Sequence, residues 1–275
     1  MDDTGSSAHG LSADAVAGFA EFAEAIVREA GAKIRRRFSA QAFSVEAKED
    51  GTPVTEADRE AEEFLRGRIS AECPSHGIIG EEFGSERTDR EFVWVLDPID
   101  GTKSFVHGVP LFGTLLGLLH RGRPVVGVIH QPVLDRTVVG DNRSAWSNGV
   151  EAKVRSERSL ADATVLLTDP AHARLRAAGE PFRTLLGEAG LVRSWGDCFG
   201  YLALATGRAD VMFDPELSPW DLLPLLPVLR GAGATVSGFD GHVPEDGSSL
   251  VASTGRALHD RVLAALAAHS SSDAG

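Results

Sequence analysis

The sequence predicts an α/β protein in two halves, α+β in the first and alternating α/β in the second. Three observations carry this. A long stretch with apolar residues at helical spacing runs from Ala13 to Phe38. Strand-length apolar runs then cluster between Phe92 and Val139, with a short turn between the second and third, as in an antiparallel sheet. After Asn148-Gly149, strand and helix patterns alternate to the end, the rhythm of a layered α/β unit.

In the opening helix, Val16, Phe19, Ala23, Ile26, Val27, Ala30 and Ile34 form one apolar stripe. Ser12 is placed to cap it, and Arg35, Arg36 and Arg37 fall in the last turn, where the helix dipole favours cations. A polar, turn-rich stretch follows from Glu46 to Pro53 and includes Lys48, Gly51 and Thr52. Thr55 starts a second helix, with Asp58 three residues on in the manner of a capping box. Phe92–Leu96 is a continuous apolar run, read as a buried strand that stops abruptly at Asp97-Pro98. Leu111–Leu119, Val125–Ile129 and Thr137–Val139 are three more strands, the first two joined by a turn at Arg121–Pro124.

In the second half, strands are expected over 164–167, 191–195, 209–213, 235–237 and 250–252. Helices are expected within 170–189 and over 199–206, 221–230 and 256–268. Pro224 fits a first helical turn, whereas Pro227 should kink its helix or end it early. The division falls near residue 150. Residues 13–150 form one half and 151–269 the other, with Ser-, Gly-, Asp- and Ala-rich tails at 1–12 and 270–275.

A chain of 275 residues can bury a substantial core. Its formal net charge of −13 argues against nonspecific nucleic-acid binding and against docking on an anionic membrane. Cys73 and Cys198 are the only cysteines, too few for a disulfide framework or a Cys/His zinc site, and point to a reducing cytoplasm. The N-terminal stretch has Asp2 and Asp3 and no basic region before an apolar core, so no signal peptide is expected. Leu111–Leu119 is too short to span a bilayer.

The chemistry concentrates in Asp97-Pro98-Ile99-Asp100-Gly101-Thr102. Two carboxylates three residues apart, with Pro between and Gly after, make a bend that aims both at one point and turns a carbonyl, that of Ile99, inward. Hard divalent cations need such oxygen ligands. The amides of Gly101 and Thr102 are available to phosphate oxygens. Taken alone, the run is equally an acidic β-turn. Glu81-Glu82 at the end of Ile78-Ile79 would alone be a solvated loop, and Asp221 and Asp58 would alone be helix-capping residues.

Together, Asp50–Asp58, Gly80-Glu81-Glu82, Trp94–Thr102 and Trp220-Asp221 resemble the inositol monophosphatase family of metal-dependent, lithium-sensitive phosphatases. The resemblance covers roughly residues 13 to 268. It implies a layered αβαβα sandwich and hydrolysis of a small phosphate monoester with two or three Mg²⁺ per site. By similarity, Glu81, Asp97 and the Ile99 carbonyl bind one metal, and Asp97, Asp100 and Asp221 a second. A further, weaker metal lies near Glu81. Gly101 and Thr102 hold the phosphate, Glu81 and Thr102 orient and deprotonate the attacking water, and Asp58 supports the Thr102 hydroxyl. The resemblance also implies a homodimer.

Within the family, Gly101–Thr114, Gly127–Leu134 and Gly196–Tyr201 look like the histidinol-phosphate phosphatase branch. Asp197 suits a substrate with an ammonium group, and Arg193 on the preceding strand would touch phosphate or hold Asp197; Asp197 is otherwise a helix cap. Trp195 stands where the family has smaller residues and is expected to reshape the pocket. The alternatives are an inositol or broad-specificity sugar phosphatase and a non-catalytic metal- or phosphate-binding homologue. A nucleotide phosphatase is disfavoured by the acidic charge.

Overall fold

Residues 10–41, 43–47, 53–244 and 248–267 are described by a computed structural model of the chain. Lys48, Gly51, Thr52 and most of the two tails lie outside the described residues. The first half runs α1 (Ala13–Ala40), β1 (Val45–Ala47), β2 (Pro53–Thr55), α2 (Glu56–Glu72), β3 (Gly77–Gly80), β4 (Gly84–Glu86), β5 (Phe92–Asp100) and α3 (Thr102–Val106). It continues with β6 (Gly113–His120), β7 (Arg123–Gln131), β8 (Arg136–Gly140), β9 (Ala145–Ser147) and β10 (Val150–Glu151).

The helix starts follow from their caps. The Ser12 hydroxyl accepts the amide of Ala15 at 3.2 Å. Thr55 and Asp58 make a reciprocal capping box at the head of α2. Ala23, Ile26, Val27 and Ala30 of α1 and Leu65 and Ile69 of α2 are fully buried on one face of the sheet, against Trp94, Leu96, Leu116 and Val128. Each large aliphatic side chain so buried contributes about 1.5–3 kcal/mol.

That sheet has eight strands in the order β10-β9-β8-β7-β6-β5-β3-β4. It is antiparallel throughout except at β3–β5, which run parallel. The sequence shows only a short apolar run at Ile78-Ile79, and the parallel pair arises because β4 carries the chain back along the outer side of β3 before β5 returns in β3's direction on its other side. β1 and β2 form a separate two-stranded ribbon.

The second half contains β11 (Thr164–Leu167), α4 (Ala173–Ala177), α5 (Gly179–Glu188), β12 (Leu191–Arg193), α6 (Asp197–Ala205) and β13 (Val211–Asp214). It ends with α7 (Pro219–Gly231), β14 (Thr235–Ser237), β15 (Leu250–Ser253) and α8 (Arg256–Ala267). Its strands make a mixed five-stranded sheet, β12-β11-β13-β15-β14. Helices α6 and α7 lie between the two sheets, while α4, α5 and α8 cover the far face of the second. The layers are therefore α, β, α, β, α, as the resemblance implies.

One expectation is corrected. Helix α7 starts at Pro219, two residues earlier than the sequence suggests, and continues through Pro227 to Gly231 without ending early. An interior proline costs a helix roughly 3 kcal/mol in isolation. Here every residue from Leu222 to Leu229 is buried, and that packing offsets the cost. The helix rests on Gly117, Gly127 and Gly140, which are mutually paired across β6, β7 and β8. A Cβ on Gly127 would lie 2.0 Å from the Pro224 carbonyl oxygen, and one on Gly140 2.5 Å from that of Pro227. Close approach of α7 thus depends on three absent side chains.

Candidate active site

Strand β5 ends in a β-bulge. Asp97 faces Leu115 on β6 but Asp100 faces Gly113, so β5 carries one residue more than its partner. The extra residue bends the strand and swings its two carboxylates to one side. Asp97 Oδ1 accepts the amide of Ile99 at 2.9 Å, and the Thr114 hydroxyl donates to the Pro98 carbonyl at 2.8 Å. Gly101 follows with φ 91°, where a Cβ would meet the Leu111 carbonyl oxygen at 2.9 Å. Phe105 of α3 packs below, within 4.7–5.5 Å of Phe38, Phe43 and Phe112 between ring centroids. The bend is therefore pinned above by hydrogen bonds and below by an aromatic cluster.

Asp97, Asp100 and Asp221 each offer a carboxylate oxygen, and these three lie within 4.8 Å of one another. Asp221 arrives from the other half of the chain. It is the third residue of α7, and its Oδ2 accepts the Ser218 amide at 2.9 Å. It caps its helix and also faces the cluster, so capping does not take it out of the site. Asp58 is similar: its Oδ2 accepts from Thr55 N at 2.8 Å, while its Oδ1 is 3.4 Å from the Thr102 hydroxyl. That hydroxyl also donates to the Ile99 carbonyl at 3.0 Å. Glu81, at the β3–β4 turn, lines the same cavity. Asp100 is fixed by the amide of Cys198, which donates to its Oδ2 at 2.6 Å from the start of α6.

Burial and mutual repulsion act strongly on these acids. Asp97 is held well above the usual carboxylate range by desolvation and then by Glu81, Asp100 and Asp221. Asp100 is raised likewise by desolvation and then by Asp197 and Asp221. Desolvation pushes Asp221 to about 6 and Asp58 to about 6. A set of buried carboxylates facing one another suits a divalent cation, which replaces their repulsion with attraction.

The cavity over this cluster has a volume of about 950 Å³ and lies between the two halves. Asp197 lines it at the first position of α6 and adopts φ 51°, a left-handed conformation that Asp tolerates better than most residues. Gly196, not Asp197, is the helix cap. The Thr168 hydroxyl accepts the Asp197 amide at 2.8 Å. Desolvation, then Asp214 and Asp221, raise Asp197 to about 7, and Lys103 opposes them.

Two expectations for this region fail. Arg193 sits on β12, an edge strand; its side chain is exposed and donates to the carbonyl of Val192 at 2.7 Å. It neither lines the cavity nor reaches Asp197. Strand alternation turns it outward, a direction that its place before Asp197 does not reveal. Trp195 is 41% exposed and also outside the cavity wall, so its bulk does not reshape the pocket.

Sequence reasoning missed two buried acids. Asp214 ends β13 as Asp97 follows Phe92–Leu96, an apolar strand stopped by a carboxylate; it accepts from the Tyr201 hydroxyl at 2.9 Å and the Thr168 amide at 3.3 Å. Glu62 lies one helical turn beyond Asp58, and that spacing was its only signal.

An α-β-α-β-α sandwich with acids from both halves converging at a strand-end bulge is the architecture of a sugar-phosphatase-like hydrolase. The sequence profile of the inositol monophosphatase family matches residues 16–271, and the chain belongs to that family. It is 37% identical over 243 residues to the histidinol-phosphatase of Chlorobaculum parvum, covering 88% of this chain and 93% of that protein. It is also 37% identical to the histidinol-phosphatase of Mycobacterium tuberculosis, with coverage of 84% and 91%. The solved structure of an inositol monophosphatase from Zymomonas mobilis superposes with a TM-score of 0.81 at 31% identity, covering 92% of this chain and 99% of that one. Among the described residues no helix is long and apolar enough to cross a membrane.

Proposed function

We propose that this cavity hydrolyses a small phosphate monoester, with L-histidinol phosphate as the preferred substrate. The observation that carries the hydrolysis is the convergence of Asp97, Asp100 and Asp221 within 4.8 Å, beside Thr102 and Gly101. Two or three Mg²⁺ held by Glu81, Asp97, the Ile99 carbonyl, Asp100 and Asp221 supply charge stabilisation of the phosphoryl group and acidify water. Gly101 and Thr102 present backbone amides to phosphate oxygens. Asp58 accepts the Thr102 proton and turns that hydroxyl toward the attacking water, which Glu81 helps to deprotonate. Neither cysteine takes part. No phosphoenzyme forms, since the nucleophile is water: its oxygen bonds phosphorus as the bond from phosphorus to the alcohol oxygen breaks, and the alcohol leaves carrying a proton.

Histidinol phosphate is favoured over inositol phosphate by Asp197. Its carboxylate stands on the cavity wall, where a substrate ammonium would pair with it and an uncharged polyol would gain less. The histidinol-phosphatase names of the relatives support the same choice. Arg193 is given no part. A homodimer in the cytoplasm is carried over from the family, and size-exclusion chromatography tests the dimer. The decisive experiment compares histidinol phosphate, inositol phosphates and fructose 1,6-bisphosphate as substrates with Mg²⁺. Asp197→Ala should reduce kcat/KM for histidinol phosphate more than for inositol phosphate, and equal losses would remove the ammonium argument. No phosphate release from any monoester would favour the non-catalytic homologue.

A further inference from the structure

Helix α2 carries a second buried carboxylate whose backbone partners both belong to the turn that bears Glu81. Glu62 is four residues beyond Asp58, so both project from one face of the helix. Its side chain has no solvent exposure. Glu62 Oε2 accepts the amide of Glu82 at 2.7 Å, and Oε1 accepts that of Phe83 at 3.1 Å. Arg66, one turn further on, supplies the compensating charge, with Nε 2.8 Å from Glu62 Oε1. Arg66 also donates to the Gly84 carbonyl on the far side of the turn. The third amide of the turn, that of Glu81 itself, donates to the Leu96 carbonyl at 3.3 Å, one residue before Asp97.

Gly80 is required by this arrangement. A Cβ there would lie 2.2 Å from Glu62 Oε1, so the carboxylate fills the space a side chain would take. Burying an ionised carboxylate costs several kcal/mol before its partners are counted. Closing a β3–β4 turn needs no such group. What the expense secures is the backbone of one residue: amides 81, 82 and 83 are all fixed, which sets the direction in which the Glu81 side chain leaves the chain, and its carboxylate lies beside Asp97.

We propose that Glu62 is a positioning residue for the metal site, acting through Glu81. Asp58 sits beneath Thr102 and Glu62 beneath the Glu81 turn, one helical turn apart. A single face of α2 thereby sets the separation of the two groups that orient the attacking water. This rests on the metal-site proposal above.

The test is Mn²⁺ binding, measured by calorimetry and by electron paramagnetic resonance of the free ion, on the wild type, Glu62→Gln and Glu86→Gln. Gln keeps the size of Glu62 but offers one acceptor to two amides. Its Mn²⁺ dissociation constant should rise at least about tenfold, while the melting temperature in chelator moves by no more than a few degrees. Glu86→Gln removes the charge of the outer partner of Arg66, at 3.4 Å, which also pairs with Arg87 at 3.5 Å, and should bind as the wild type does. An unchanged dissociation constant in folded Glu62→Gln overturns the proposal, as does a loss of stability with unaltered binding to the folded fraction. If Glu62→Gln does not fold, Arg66→Met carries the test: it strips the compensating charge and should weaken Mn²⁺ binding about threefold or more, and unaltered binding overturns the proposal. A wild type that binds no Mn²⁺ defeats the metal-site proposal itself, a separate outcome.

Discussion

Asp58→Asn should stabilise the metal-free fold at neutral pH while disabling the enzyme. Asp58 is fully buried, and desolvation pushes its carboxyl from an ordinary 3.8 up to about 6 even with two hydrogen bonds from Thr55 opposing the shift. A raised pKa means that the folded state holds the proton more tightly than the unfolded chain. The fold therefore loses stability as pH rises from the unfolded value toward 6, and the loss is complete above that. Each tenfold change in proton affinity is worth about 1.4 kcal/mol, so ionised Asp58 costs the fold about 3 kcal/mol at pH 8. Asn has the same shape and cannot ionise. The variant should match the wild type near pH 4 and exceed it by up to about 3 kcal/mol at pH 8, or roughly 6–12 °C in melting temperature. Its turnover should fall by about 10²–10⁴, because Thr102 loses an ionised acceptor at 3.4 Å. Thermal unfolding in chelator from pH 4 to 8, with kcat measured in Mg²⁺, reads both. A variant less stable than the wild type at pH 8, or one with full activity, would refute the reasoning.

Further outcomes follow from the same site and its supports. Asp100→Asn should lower kcat/KM by about 10³-fold without unfolding the protein, and unchanged turnover in Mg²⁺ would defeat the site. In chelator the protein should gain stability as pH falls from 8 toward 5, since Asp197 and Asp221 are raised to about 7 and about 6 and protonation ends their repulsion. The stabilisation produced by adding Mg²⁺ should shrink over the same interval, because protons compete for the ligands; paired melting curves check both. Gly127→Ala should cost about 3 kcal/mol, as its Cβ meets the Pro224 carbonyl oxygen at 2.0 Å. Gly18→Ala, on an exposed turn of α1 with nothing within 4 Å, should instead add about 0.5–1 kcal/mol.

Local patterns in the chain foretell much of this molecule. The stripe from Val16 to Ile34 defines the buried face of α1, and Thr55 with Asp58 places the start of α2. The Asp97–Thr102 run foretells its own bend because Pro, Gly and two carboxylates leave few conformations open, but its chemistry reads only with Glu81, Asp58 and Asp221 beside it. What local pattern could not give was decided by distant packing. Pro227 lies mid-helix because three glycines some 90 to 110 residues away make room for it. Arg193 points outward because of its place in the alternation of β12, whose register is set by pairing with the distant β11 rather than by neighbouring residues. Asp58 and Asp221 were hidden differently: each caps its helix and also faces the cavity, and Asp58 does so with a different oxygen of its carboxylate for each contact, so the sequence poses as alternatives two placements the structure combines.

The glycine floor under α7 has a consequence for how the site is assembled. Asp221 is the only member of the carboxylate trio from the second half, and its position follows from how deeply α7 settles on Gly117, Gly127 and Gly140. At the floor itself that depth is fixed by shape, while at its far end the Asn142 amide donates to the Pro227 carbonyl at 3.1 Å. It involves no charge to be screened by salt and no group that titrates, so surroundings that alter every carboxylate in the cavity leave the floor as it is. The sensitivity lies elsewhere: a single methyl group at the interface would lift one ligand away from the other two. These three positions, far from the surface and outside the cavity wall, set how the carboxylates of the two halves meet.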